Sequence, residues 1–249
     1  MPTTPLVRKL ELFVQLSDDD RAALKRIGEY PGQQVEARRD LISEGEPPRM
    51  YVVSKGWACL YKWLPDGRRQ IVGLLLPGDC NDLRIQLLDT MDYNVGAVTA
   101  LKAIEIPQAE LDDLGSRQPR LADAFTHNEL VTNAMQREWA LCLGQRSAYE
   151  RLAHLMVEIY LRLDAVGLAS DGEIEWPLTQ SDLADALGLT AVHVNRTLQR
   201  LRADGLIELA HRRLVIRDLG RLKQAGLFND NYLHRRGGGK PDSGLQQVA

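Results

Sequence analysis

The chain has 249 residues, of which 44% are hydrophobic and 26% charged, and a formal net charge of −3. Those are the proportions of a soluble globular protein, long enough for one large or two ordinary domains. No apolar run reaches the ~18 residues of a membrane helix, and the start, MPTTPLVRKLELF, lacks the apolar core and cleavage site of a secretion signal, which points to the cytoplasm and away from the membrane. Cys59, Cys80 and Cys142 are too few and too widely spaced for a disulfide framework or a cysteine-rich zinc or iron–sulfur site.

Ser17 followed by DDDRAALKRIG predicts a capped helix with acidic residues at its N-terminal end, where the helix dipole favours them. Leu10, Leu12, Phe13 and Leu16 are expected to pin it to the next domain. Across residues 31–107 short extended runs alternate with turn signals such as Pro31-Gly32, Lys55-Gly56, Asp66-Gly67 and Pro77-Gly78-Asp79, the spacing of a small β-sandwich or barrel. Trp57, Cys59, Tyr61 and Trp63 alternate with Ala58, Leu60 and Lys62, and Asp66-Gly67 stands where a hairpin turn should precede a paired strand over residues 70–76.

Beyond Pro107 the pattern turns helical. After Pro119, Leu121, Phe125, Asn128, Val131, Met135, Trp139 and Cys142 recur every three or four residues, one apolar seam on a long helix ending near Gly144. So narrow a stripe predicts a coiled-coil partner, the simplest being a second copy of the chain. A helix lying on its own β-domain is the competing reading. Ser147 and Glu150 form a capping box that opens a further helix, from Ala148 to about Val166.

Residues 177–209 carry the chemistry. Thr179 can cap a short helix, with Asp182 three positions on as an acidic capping box, and Gly188 stops it because only glycine takes a left-handed turn without steric cost. Thr190 caps a second helix reaching about Asp204, with Val194, Leu198 and Leu201 as its buried stripe and Gly205 as its stop. Two short helices around a glycine turn are a helix-turn-helix, whose second helix lies in the DNA major groove. Its outward residues Val192, Asn195, Arg196 and Gln199, flanked by His193 and Arg200, suit that task, since Arg pairs bidentately with guanine and Asn or Gln with adenine. Two packing helices with a solvated polar face are the blander reading, which the joint placement of Ala184, Gly188, Val194 and Leu198 opposes.

Short strands over residues 206–209 and 213–216, joined through Ala210-His211-Arg212, would make a wing whose Arg212 and Arg213 reach phosphates. A helix is expected over residues 219–228 and a disordered polar tail over 235–249. Between Gly188 and Arg236 ten basic residues face four acidic ones, so the net negative charge of the whole chain does not exclude a DNA partner.

An N-terminal double-stranded, jelly-roll-like β-roll, a long helix and a C-terminal winged helix-turn-helix make an α+β fold. In that order they resemble the Crp/Fnr family of bacterial transcription regulators. The motif LTQSDLADALGLTAVHVNRTLQRLRADGLI carries most of the resemblance, and the turns at Gly56, Asp66-Gly67 and Leu76-Pro77-Gly78-Asp79 carry the rest. RSAYERLAHLMVEIYLRL and VHVNRTLQ look most like its alphaproteobacterial branch. The resemblance implies a sensor roll over residues 1–116, a dimerisation helix over 117–144 and a DNA-binding domain over 145–228. It also implies a homodimer on a two-fold symmetric DNA operator, with RNA polymerase as a further partner.

The family's base-reading positions fall on Ala191, Val192, Asn195 and Arg196. Val192 stands where an acidic residue is common, and it can touch a thymine methyl but cannot accept from cytosine, so the family's usual operator is not expected.

In cyclic-nucleotide binders of the family, the cassette after the Pro-Gly-Asp turn supplies an Arg-Ser pair for the phosphate, where this chain has Asn94 and Val95. Losing that arginine removes a charge-assisted contact worth roughly 1.5–3 kcal/mol, which argues against cyclic AMP. Arg84 or Arg137 could substitute, or be surface residues. Cys80, Asn81, Asp82 and Gln136 complete the expected pocket for an unidentified small-molecule effector. There is no N-terminal cysteine cluster for an iron–sulfur centre, and no histidine before His127, which argues against a histidine-ligated haem or metal inside the roll. Cys80 reads as a redox sensor, a haem ligand or, more commonly for such a residue, a small buried apolar group. The missing histidines also oppose a cupin-like enzyme, and no phosphate loop or nucleophile motif appears. The remaining rival is a small-molecule-binding module that acts on another protein.

Overall fold

The computed structural model describes residues 4–234. Two helices open the chain, α1 (Pro5–Glu11) and α2 (Asp18–Glu29). α2 starts at a complete capping box of Ser17 and Asp20. α1 was not expected: at 7 residues it is too short to show a period, and its Thr4 cap and first-turn Pro5 set it in place.

Seven strands come next: β1 (Gly32–Val35), β2 (Asp40–Ile42), β3 (Tyr51–Lys55), β4 (Ala58–Trp63), β5 (Arg69–Leu75), β6 (Asn94–Ala97) and β7 (Leu101–Glu105). They form two antiparallel sheets, ordered β1-β7-β3 and β2-β6-β4-β5. The β4–β5 hairpin turns at Asp66-Gly67 as expected. Its alternation is not matched by burial, however, for Ala58, Cys59, Leu60 and Tyr61 are all buried. The face with Leu60 and Gly73 meets the long helix through Gln136, and the hairpin's other side lies under the C-terminal domain at Asp185 and Ala186. Gly78 turns the chain at φ +93°, and a Cβ there would lie 2.8 Å from the backbone of Pro5, so this turn and the start of α1 need each other.

α3 (Gln108–Arg117) leads to α4 (Pro119–Gln145), and α5 (Ala148–Ala165) begins at the Ser147–Glu150 capping box. The C-terminal domain comprises β8 (Glu173–Glu175), α6 (Gln180–Leu187), α7 (Ala191–Ala203), β9 (Ile207–Ala210), β10 (Arg213–Ile216) and α8 (Leu219–Ala225). Its sheet is three-stranded, β8-β10-β9, one strand more than the expected wing. α8 stops at Ala225, short of Phe228, and packs on α5. Among the described residues no helix is long and apolar enough to cross a membrane. The expected disordered tail, 235–249, lies outside the described residues.

The seam on α4 is turned inward. Leu121, Phe125, Asn128, Val131, Met135, Trp139 and Cys142 are all buried within the one chain. Asn128 Nδ2 donates to Cys80 Sγ of the roll at 3.4 Å, and Trp139 Nε1 to Glu158 of α5 at 3.2 Å. The expectation that this stripe meets a second copy is therefore corrected. The more apolar face of α4 is covered by the rest of its own chain, with α1, α3 and β5 against it. On the opposite face Leu130 and Leu141 are 61% and 47% exposed.

Candidate DNA-binding surface and sensor cavity

The helix-turn-helix is built from local signals. Thr179 Oγ1 accepts from Asp182 N at 3.1 Å while the Asp182 carboxylate accepts from Thr179 N at 2.9 Å, closing the capping box. Gly188 ends α6 at φ +62°, the left-handed cap that the sequence requires there. Thr190 Oγ1 accepts from His193 N at 3.2 Å and starts α7. Val194, Leu198 and Leu201 are buried beneath it, joined by Thr197.

Outward from α7 stand Ala191, Val192, His193, Arg196, Gln199 and Arg200, all exposed, with Asn195 half-buried. Val192 is 70% exposed and so open to contact. Arg196 makes no ion pair among the described residues, so its guanidinium is available to a ligand. Arg200 is otherwise engaged: it lies over the Tyr149 ring at 4.4 Å, and the Tyr149 hydroxyl donates to Asp204 at 2.6 Å. The wing tip is a two-residue turn with positive φ at both His211 (49°) and Arg212 (60°), the primed geometry that suits a right-twisted hairpin. Arg212 projects freely, whereas Arg213 is paired with Glu173 of β8.

Sequence reasoning missed how this domain is held. Arg38, beside β1, donates to both Asp182 oxygens at 2.7 and 2.9 Å, and Arg69 of β5 donates to Asp182 at 3.1 Å and Asp185 at 2.7 Å. Burial works to raise the Asp182 carboxyl, but Arg38 and the Thr179 backbone outweigh it and hold it below the ordinary carboxylate range. One aspartate thus caps the helix-turn-helix and ties it to the roll, and Trp57 and Trp176 meet edge-on beside it at 6.4 Å.

The expected effector pocket is dispersed. Asn94 Oδ1 accepts from Glu44 N at 3.0 Å, Asn81 bridges Tyr51 N and Arg49 O, and Asp82 accepts from the Tyr93 hydroxyl at 2.9 Å. Val95 is buried, and Arg84 and Arg137 are exposed. Only Cys80 and Gln136 of the expected set line the cavity between roll and α4, which measures about 30 Å³. Cys80 is enclosed, and burial pushes its thiol up to about 12, so it behaves as a small apolar group.

Charged side chains fill the place instead. Asp79, of the Pro-Gly-Asp turn, is paired with Lys9 of α1 and with Arg162 of α5, whose Nη2 donates at 2.6 Å. Arg162 also pairs with Glu158 at 3.3 Å, and Glu158 accepts from Trp139 at 3.2 Å and the Tyr232 hydroxyl at 3.0 Å. Burial raises the Asp79 carboxyl, yet Lys9 and Arg162 overcome it and hold Asp79 low; for Glu158, wholly buried, burial prevails and the carboxyl is raised. Asp79 and the i, i+4 pair Glu158 and Arg162 were visible in the sequence, but nothing local joined positions 80 residues apart.

A β-roll, a long helix and a winged helix-turn-helix with an open cationic recognition face define a DNA-binding regulator with a sensor domain. Comparisons agree: the cyclic nucleotide-binding domain family matches residues 33–118 and the Crp-like helix-turn-helix domain family matches residues 150–225. The nitrogen fixation regulation protein FixK of Bradyrhizobium diazoefficiens is 31% identical over 199 residues, 80% of this chain and 81% of that one. The transcriptional activator protein FnrL of Cereibacter sphaeroides is 31% identical over 233 residues, 91% of this chain and 92% of that one. Among solved structures, FixK2 from Bradyrhizobium japonicum superposes with a TM-score of 0.70 at 26% identity, over 78% of this chain and 96% of that one. The chain belongs to the Crp/Fnr family of transcription regulators and is not an enzyme.

Proposed function

We propose that this regulator works in the cytoplasm as a homodimer on a two-fold symmetric operator, reading bases with Ala191, Val192, Asn195 and Arg196. Thr179, Thr190, His193, Gln199 and Arg212 supply phosphate or flanking contacts. Arg200 and Arg213 join them only by leaving Tyr149 and Glu173. The observation that carries the reading is the unpaired Arg196 beside the exposed Val192 on α7, a guanine donor next to a thymine-methyl contact. The exposed stripe of Leu130, Asn133, Arg137 and Leu141 on α4 supports the dimer, since it repeats at helical spacing on the side away from the roll. RNA polymerase is the further partner of an activator-type reading, the function that the name of FnrL states for that protein.

The roll is proposed to work without a cyclic nucleotide. A cavity of about 30 Å³ has room for about two waters and none for a nucleotide, and Asn94 is already committed to the backbone where a phosphate contact would stand. Selecting bound sequences from random duplexes tests both parts. Enriched sites should be inverted repeats with centres about one helical turn apart, and adding cyclic AMP should leave affinity unchanged. Single, unsymmetric sites, or dependence on the nucleotide, would contradict the proposal.

A further inference from the structure

Where α4 ends and α5 begins, three side chains of metal-ligating type converge away from both the recognition helix and the sensor cavity. Glu138 and Cys142 stand four apart on α4 and so share one face, and His154 enters from α5. A carboxylate oxygen, the thiol sulfur and an imidazole nitrogen all lie within 4.8 Å of one another. His154 is 1% exposed, and its Nε2, with no hydrogen-bond partner, sits 3.3 Å from Glu138 Oε1. A buried ring nitrogen with nothing to bind is costly, and a cation at this point would satisfy it. The ring is fixed in place by Phe228 and Tyr232, at centroid distances of 4.7 and 5.9 Å.

We propose that Glu138, Cys142 and His154 form a binding site for a divalent transition-metal ion of the zinc type. Thiolate, imidazole and carboxylate together are the donor set of a borderline-soft ion, and they disfavour calcium and magnesium, which take oxygen alone. Around a tetrahedral ion with bonds of ~2.0–2.3 Å, neighbouring donors stand roughly 3.3–3.7 Å apart. The Glu138–His154 edge, at 3.3 Å, already has that length. The sulfur, within 4.8 Å of the other two donors, has to move closer for the ion to bind. A cavity of about 10 Å³ touching both Cys142 and His154 offers the space of about one water for a fourth ligand.

The same donors hold a cation of the chain's own. Arg146, which caps α4, donates from Nη2 to Glu138 at 2.7 Å and from Nη1 to Cys142 Sγ at 3.0 Å. Its Nη2 also reaches Leu227 O at 3.1 Å, beyond α8. The ion and the guanidinium compete for two ligands, so binding the metal frees Arg146 from α4. The site is thereby coupled to the junction between the long helix and the DNA-binding domain.

Cobalt(II) is the probe, because a thiolate bound to it absorbs in the near ultraviolet by charge transfer whereas imidazole and carboxylate do not. Titrated into reduced, chelator-treated full-length protein, it should give this absorption with saturation at one ion per chain. Cys142→Ser should abolish the band, His154→Gln should weaken binding by at least about tenfold, and Arg146→Gln, lacking the competitor, should bind more tightly. Absence of the band, its persistence in Cys142→Ser, or unchanged affinity in His154→Gln overturns the site. Far-ultraviolet circular dichroism checks that each variant folds. If the Cys142 variant does not, Glu138→Gln, at a partly exposed position, decides: at least a severalfold loss supports the site and unaltered affinity refutes it.

Discussion

The helix-turn-helix and the sensor cavity differ in where their determinants lie along the chain. Every feature of the first, the caps at Thr179 and Thr190, the glycine at 188 and the buried stripe of Val194, Leu198 and Leu201, falls within 23 residues of sequence. The second is made by Lys9, Asp79, Trp139, Glu158, Arg162 and Tyr232, which come from five separate parts of the chain. A surface that must fit DNA is thus specified locally. The interior that links it to the roll is specified by pairings that only the fold creates.

Breaking the proposed dimer should have the largest effect. Leu130→Glu places a charge on the outward face of α4 without disturbing the inward seam, so it should give folded monomers by sedimentation, with operator affinity down at least about 10³-fold, toward the non-specific range. Trp139→Glu is a different experiment. Trp139 is 9% exposed and donates to Glu158, so that change should unfold the protein.

Arg162→Met tests the buried network. It leaves Asp79 with Lys9 alone and Glu158 with no cation, and loss of one partner in such a network costs about 3–5 kcal/mol. Urea unfolding should show that loss, and a change below about 1 kcal/mol would mean that the cluster is not holding roll and α5 together.

His154 sharpens the comparison through pH. Burial, aided by Arg146, lowers its pKa to about 3, against about 6.5 when unfolded. Below pH 6.5 the unfolded chain binds a proton that the folded one does not, so this contribution to stability is complete above pH 6.5 and is lost as pH falls toward 3. The expected slope is about 1.4 kcal/mol per pH unit. Thermal unfolding at pH 7.0 and 5.5 should reveal it, and His154→Gln should flatten the difference.

The smallest effect is at the wing. Arg212→Ala should weaken binding to specific and random DNA alike and lower the slope of log affinity against log salt by about 1.

The order and type of the main elements were legible because caps, glycine stops and apolar periods are local. α1 escaped for lack of length, and β8 because 3 residues carry no pattern. The inward seam was visible as a stripe, but a stripe does not say what covers it. Two apolar surfaces competed for Leu121, Phe125 and Met135, and the rest of the same chain, α1, α3 and β5 among it, took them. In the roll, Asn94 and Val95 stand where the resemblance puts an Arg-Ser pair, while the Lys9–Asp79–Arg162 cluster nearby spans 153 positions and has no local signature. The hold of Arg38 and Arg69 on Asp182 was hidden for the same reason, since Asp182 alone reads only as a capping residue.

The central claim is that α7 reads DNA sequence through Arg196. It is tested most directly by the ratio of affinities for the selected operator and a random duplex, measured at one salt concentration for the parent protein and for Arg196→Ala. The ratio should fall in the variant by the equivalent of about 1–3 kcal/mol, with thermal stability unchanged. A ratio equal to the parent's would contradict the assignment of the recognition helix.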